Sequence, residues 1–248
     1  MIRYLLILLY VLALLEATFE LGIAVAPGVS GKNLLLYMLV FAILARAVLL
    51  NTDLYIPLAN IHVAFLALVT FATVSWTMHS LFDPIYPSFA AFKALKSELV
   101  DNFLFFGVFF FGPRNYEEAK RVFLVALHLI AILSVLTIVD MSAAIELGIM
   151  DQDPDGRVRG PIGESNQYGA FMVFFVPLFA AMALGSTGVA RLAWWFVFLC
   201  GAGLMVATGS RGAYLGIVLG TALGLKFILP YFDRRRLWRT AGKIGAVC

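Results

Sequence analysis

Charge is what this sequence has least of: 13% of its 248 residues are Asp, Glu, Lys or Arg, against 62% hydrophobic. So little polar surface excludes a soluble globule, and so much apolar length excludes a disordered chain. Cysteine is nearly missing as well. Cys200 lies inside an apolar run and Cys248 at the terminus, which gives no disulfide or metal framework and leaves the redox compartment open. The three histidines, His62, His79 and His128, neither cluster nor show metal-ligand spacing. His62 and His128 read as packing residues, and His79, beside Trp76, as part of an interfacial belt. There is no Walker loop, dinucleotide glycine fingerprint, nucleophile elbow or zinc signature. ATP-driven transport and soluble-type hydrolysis lose support accordingly.

What is present is apolar length, with a mean hydropathy of +0.94. Apolar segments lie at 2–26, 34–50, 58–78, 99–112, 121–139, 166–185, 193–208 and 212–229. Most approach the about 20 residues that cross a hydrocarbon core as helix, whereas barrel strands would alternate over about 10. The expected class is therefore all-α: a polytopic membrane helix bundle of about eight transmembrane helices, forming one transmembrane domain over 1–248 with an outer loop at 140–165. A retained first helix fits better than a signal peptide, because no A-x-A-like site follows and Glu16 and Glu20 interrupt a run continuing to Ala26. Phe89, Phe92, Leu95 and Leu99 recur at helical spacing opposite Lys93, Lys96 and Glu98. They read either as an interfacial amphipathic helix or as the start of a longer, tilted fourth span.

Lysine and arginine placement sets the expected orientation. With a cytoplasmic N-terminus, 12 of the 18 basic residues fall inside, among them the cluster Arg234, Arg235, Arg236, Arg239 and Lys243. Lys32, Lys93, Lys96, Arg157, Arg159 and Arg211 fall outside, so the positive-inside rule favours this arrangement. Beside apolar helices the basic cluster reads as a topology signal, and no nucleic-acid partner is expected.

That orientation puts two arginine-bearing junctions on the same, outer side. The first runs Arg157-Val158-Arg159-Gly160-Pro161 into Asn166; the second is Thr208-Gly209-Ser210-Arg211-Gly212. Arginine is expensive in a bilayer and carries five donors in a rigid fork, so one beside glycines at a helix end suits capture of a phosphate or carboxylate. In the second junction Gly209 and Gly212 let the backbone approach a ligand, and the freed amides and the Ser210 hydroxyl can donate to an anion beside Arg211. In the first, Arg157 and Arg159 precede Ser165 and Asn166, possible N-caps of the sixth span, whose positive dipole end would add to the arginines. Plain turns and caps, with arginines among lipid head groups or paired to nearby aspartates, explain the same patterns. Glu164 reads as a general base or a cap. Glu16 and Glu20, one turn apart, line a proton or cation path or lie exposed at the interface.

Together, the order of Arg159-Gly160, Asn166, an apolar helix with Pro177, a second apolar helix and then Thr208-Gly209-Ser210-Arg211-Gly212 resembles the bacterial O-antigen ligase and polymerase superfamily, over residues 157–230. The resemblance implies a membrane glycosyltransferase of the inner membrane that faces the periplasm. It would transfer a glycan from undecaprenyl pyrophosphate to a glycan, lipid or protein acceptor without metal or other cofactor. Arg211 and Arg159 would hold the pyrophosphate, supported by Arg157, Ser210, Gly209, Gly212 and Asn166. Members of that superfamily run to about twelve spans and carry, in a later periplasmic loop, a histidine proposed as general base; no residue here matches it. The chain is therefore expected to be an N-terminal portion of a longer protein. The alternatives are a membrane transporter for an anion such as inorganic carbon, and a non-catalytic subunit of a polysaccharide export complex.

Overall fold

The computed structural model describes residues 2–19, 24–26, 29–50, 60–83, 85–142, 147–149, 155–162 and 164–228. Among them are nine α-helices: α1 Ile2–Phe19, α2 Gly31–Leu49, α3 Asn60–Phe82, α4 Ser88–Leu95, α5 Asp101–Phe111, α6 Tyr116–Met141, α7 Ser165–Gly185, α8 Gly188–Ala207 and α9 Arg211–Ile228. A small antiparallel ribbon pairs β1 Ala24–Ala26 with β2 Val29–Ser30. The chain is thus a multi-pass helical membrane protein: six described helices, α1, α2, α3, α6, α7 and α8, are long and apolar enough to cross a bilayer. To these the structure adds the 11-residue α5 and the 18-residue α9.

Several limits differ from the sequence expectation: α2 and α3 are shifted by up to four residues and α6 begins at Tyr116 instead of 121. The first apolar run does not stay helical to Ala26, because β-branched Val25 favours a strand and Pro27 pushes Ala26 away from the α region. Helix α8 begins at Gly188 and so takes Arg191 into its first turn. Residues 88–111 are one continuous helical run in which a π turn, Lys96–Val100, joins α4 to α5.

The described residues divide into two compact units, one within Met1–Glu16 and Glu20–Ala126, the other within Ala17–Phe19 and Leu127–Cys248. In the first, Leu36, Leu39 and Ile43 form the buried stripe of α2 and pack with Leu6 and Leu9 of α1, Val108 of α5 and Val122 of α6. Helix α3 buries none of its spanning window. Its Thr70, Thr73 and Thr77 hydroxyls each donate at 2.8 Å to the carbonyl one turn back, which satisfies them without a partner helix. Trp76 of α3 holds α4 by donating to the Ser88 carbonyl at 2.9 Å and packing on Phe92.

The π turn has an electrostatic reason. In an α-helix of 3.6 residues per turn, positions i and i+5 lie about 140° apart; the wider turn stacks them. Lys96 Nζ thereby reaches Asp101 Oδ2 at 2.7 Å, while Tyr37 of α2 donates to Oδ1 at 2.7 Å. Burial pulls the Lys96 pKa down, but hydrogen bonds and charge from Asp101 and Tyr37 outweigh it and the net shift is upward. While Asp101 is ionised the pair is therefore fully formed below the ordinary lysine range, and it is lost as pH rises through the raised value.

In the second unit α7 packs on both α8 and α9. Tyr168, Met172, Val176, Phe179 and Ala183 are its buried face, and Gly201 of α8 lets the backbones close, since a Cβ there would lie 3.2 Å from Phe179 and Val176. Pro177 leaves α7 helical through Gly185, as spanning helices tolerate. At the end of α6, both Asp140 carboxylate oxygens accept backbone amides at 2.7 Å, from Leu147 and Ile149, and hold residues 147–149 at the end of that helix.

In the first unit Arg46 spreads its fork over the last carbonyls of α5, reaching Phe111 O at 2.8 Å and Gly112 O at 3.1 Å. A cation there also answers the negative helix end. Arg46→Ala should destabilise the protein by about 1–2 kcal/mol, and Arg46→Lys, which keeps the charge but not the fork, by about half as much. Denaturant titration in mixed micelles reads both, and equal losses would show that the fork geometry contributes nothing.

Candidate functional site

The two arginine junctions meet. After Ala207 the chain turns through Thr208-Gly209 and re-enters helix at Arg211, a reversal made possible by Gly209 at φ +59°. The turn satisfies itself. Thr208 N–H donates to Leu204 O at 3.0 Å and Thr208 Oγ1 donates to Met205 O at 2.7 Å. The same Oγ1 accepts from Ser210 N at 3.3 Å, and Ser210 Oγ caps α9 by accepting from Ala213 N at 3.3 Å. Tyr214 reaches back to cover Val206 O at 2.7 Å. Gly169 of α7 sits directly against the turn: a Cβ there would lie 2.8 Å from Ser210 Cβ and 3.0 Å from Thr208 Oγ1.

The first junction lies along this turn and is bridged to it at Val158. Val158 N donates to Ala207 O at 3.1 Å, and the Val158 side chain is buried among Tyr168, Met172, Leu204 and Ala213. Arg157 then joins three segments: its Nε donates to Thr208 O at 2.9 Å and its Nη2 to Asn166 Oδ1 at 2.8 Å on the first turn of α7. A Cβ on Gly209 would stand 3.3 Å from Arg157 Nε. Gly160, at φ +64°, lies flat on the Tyr168 ring, which a Cβ would overlap.

The structure therefore gathers Arg157, Asn166, Thr208, Gly209 and Ser210 into one cluster and sorts their roles. Ser210, expected to offer its hydroxyl to an anion, is buried and occupied as a helix cap. Arg157, given a supporting part by the sequence, is the residue that holds the junctions together. Arg211 stands exposed at the first position of α9 with no hydrogen bond or ion pair among the described residues. Its charge and the positive end of α9 reinforce one another at the same point. Gly212 and Asn166 are exposed beside it in the chain and across the junction, and Arg159 is half-buried two residues beyond Arg157. Glu164 is the backbone N-cap residue of α7 without a side-chain capping bond.

Sequence reasoning missed Thr208 O as an acceptor and the Tyr168-Gly169 pair as the packing surface; the adjacency of a large and a null side chain at the start of α7 was the available signal. Other candidates fall elsewhere. Glu16 is ion-paired with Lys32 at 3.2 Å, and Glu20 lies outside the described residues. His79 stacks on Tyr86 and His128 meets Trp194 edge-on, as packing residues do, while the His62 side chain and the basic cluster from Arg234 lie outside the described residues. Among the described residues no three His, Cys, Asp or Glu side chains gather as metal ligands would.

Arg157→Ala leaves Thr208 O without its charged donor and should cost about 2 kcal/mol, with Arg157→Lys recovering less than half because a point charge cannot serve both acceptors. Gly209→Ala forces a side chain into the left-handed region and should cost about 1–2 kcal/mol. Thermal unfolding of the purified protein in detergent measures all three; an unchanged midpoint for Arg157→Ala would remove the joining role. Compared with known proteins, the chain matches no family model, no curated sequence and no solved structure.

Proposed function

We propose that this chain carries the anion-binding site of a membrane glycan ligase or polymerase of the O-antigen type, seated in the inner membrane with the arginine junctions facing the periplasm. One observation carries the reading: the Arg157 bonds to Thr208 and Asn166, which draw the two arginine-bearing junctions into one cluster with Arg211, a residue without a hydrogen bond or ion pair among the described residues. An exposed arginine on the first turn of a helix opposes the helix dipole and is unfavourable for stability. An arriving phosphate reverses that sign, since dipole, guanidinium and first-turn amides all favour it.

On this reading the ligand is the pyrophosphate of a lipid-linked glycan donor. An acceptor hydroxyl of a glycan, lipid or protein attacks the anomeric carbon, the carbon–oxygen bond to the pyrophosphate breaks, and negative charge gathers on the departing lipid pyrophosphate. Arg211 and Arg159 stabilise that charge, which acts more strongly on the transition state than on the bound donor. Arg157 and Asn166 set the frame. The group that takes the acceptor's proton is not assigned to a residue of this chain.

The decisive experiment measures surface polysaccharide assembly by the protein carrying Arg211→Ala or Arg211→Lys. Both should fall by about a hundred-fold or more while membrane insertion is unchanged, because lysine keeps the charge and loses the paired donors. Normal activity in Arg211→Ala would end the phosphate assignment.

A further inference from the structure

A second feature lies at the other end of α8, away from the arginine junctions. Between α6 and α8 runs an apolar groove of about 410 Å³, lined by Ala131 and Val135 on one side and Ala190, Ala193 and Trp194 on the other. His128 bridges it edge-on to Trp194 at 5.0 Å between ring centres. The volume falls within the about 300–1,000 Å³ of small-molecule sites. The short side chains of the alanines on both walls leave it unfilled, and in hydrocarbon an apolar gap is filled by chain, since its lining otherwise forfeits dispersion contacts.

Charge identifies the chain's head. Between Glu164 and Arg211 the sequence carries a single charged residue, Arg191. It sits in the first turn of α8, one turn before Trp194, exposed and without a hydrogen bond or ion pair among the described residues. The first turn contains no acid, and the N-cap residue Thr187 makes no side-chain capping bond. A cation at this helix end is disfavoured by the dipole unless an anion joins it. The groove asks for an acyl chain and its mouth for a negative head.

We infer that the α6–α8 groove with Arg191 is a binding site for an anionic phospholipid, its acyl chain along Ala131, Val135, Ala193 and Trp194 and its phosphate at Arg191. The site is independent of the junction chemistry. Membrane surfaces rich in such lipids attract basic residues with about 1 kcal/mol each, and the groove adds selectivity for a lipid held in place over one passing by.

The test uses the full chain in mild detergent, exchanged with phosphatidylglycerol or with phosphatidylcholine of identical acyl chains, and counts retained lipid by native mass spectrometry. Phosphatidylglycerol should be retained roughly five-fold better, Arg191→Ala should abolish that preference, and Arg191→Lys should keep most of it. Ala193→Trp, which fills the groove, should lower retention of both lipids. Equal retention of the two by the unaltered chain, or an undiminished preference in Arg191→Ala, would overturn the site and leave Arg191 as a topology residue alone. Because Arg191 is exposed, its variants report even if the Ala193 variant does not fold.

Discussion

The second unit depends on one guanidinium. Arg157 donates to the Thr208 carbonyl and the Asn166 amide oxygen, so a single side chain ties the loop leaving α6, the start of α7 and the turn between α8 and α9. Carbonyls at a helix end have no partner within the helix, and none is supplied by hydrocarbon. A charged, forked donor is the strongest answer available, and glycine at 209 leaves space for it. Remove the fork and three segments lose their common point.

The same constraint explains the polar residues elsewhere. A chain with so few charges satisfies most of its polar side chains locally, by short reach. Thr70, Thr73, Thr77, Ser134 and Thr137 return to carbonyls of their own helices, Arg46 covers the end of α5, and Asp140 collects two loop amides. The π turn at Lys96–Val100 is the costliest of these solutions, a distortion of the backbone that brings Lys96 onto Asp101. Where a cation has no partner among the described residues, as at Arg211 and Arg191, a negative ligand is the natural complement.

Much of the helical content was legible, because apolar length is a local property. Ser165–Gly185 and Arg211–Ile228 fall within a residue of the runs read from sequence, and the glycine-flanked break at 208–210 appears where Gly209 demands a left-handed turn. The pattern at 89–99 allowed both an amphipathic helix and the start of a span; the π turn joins the two into one run, a backbone irregularity that side-chain periodicity does not encode. The strand at Ala24–Ala26 escaped the apolar criterion because hydrophobicity does not distinguish strand from helix over so few residues.

For the candidate site, sequence by itself determined that two arginine-bearing breaks interrupt apolar helices, since composition and glycine placement suffice to mark them. Tertiary structure alone decided the division of labour: Arg157 as the tie, Ser210 as a buried cap, Arg211 as the open cation. The reason is that, on paper, all three side chains can donate hydrogen bonds to an anion. Which is spent and which is free depends on which carbonyl is left orphaned beside it, and that follows only from how α7 closes on α8 and α9 through Gly169 and Gly201.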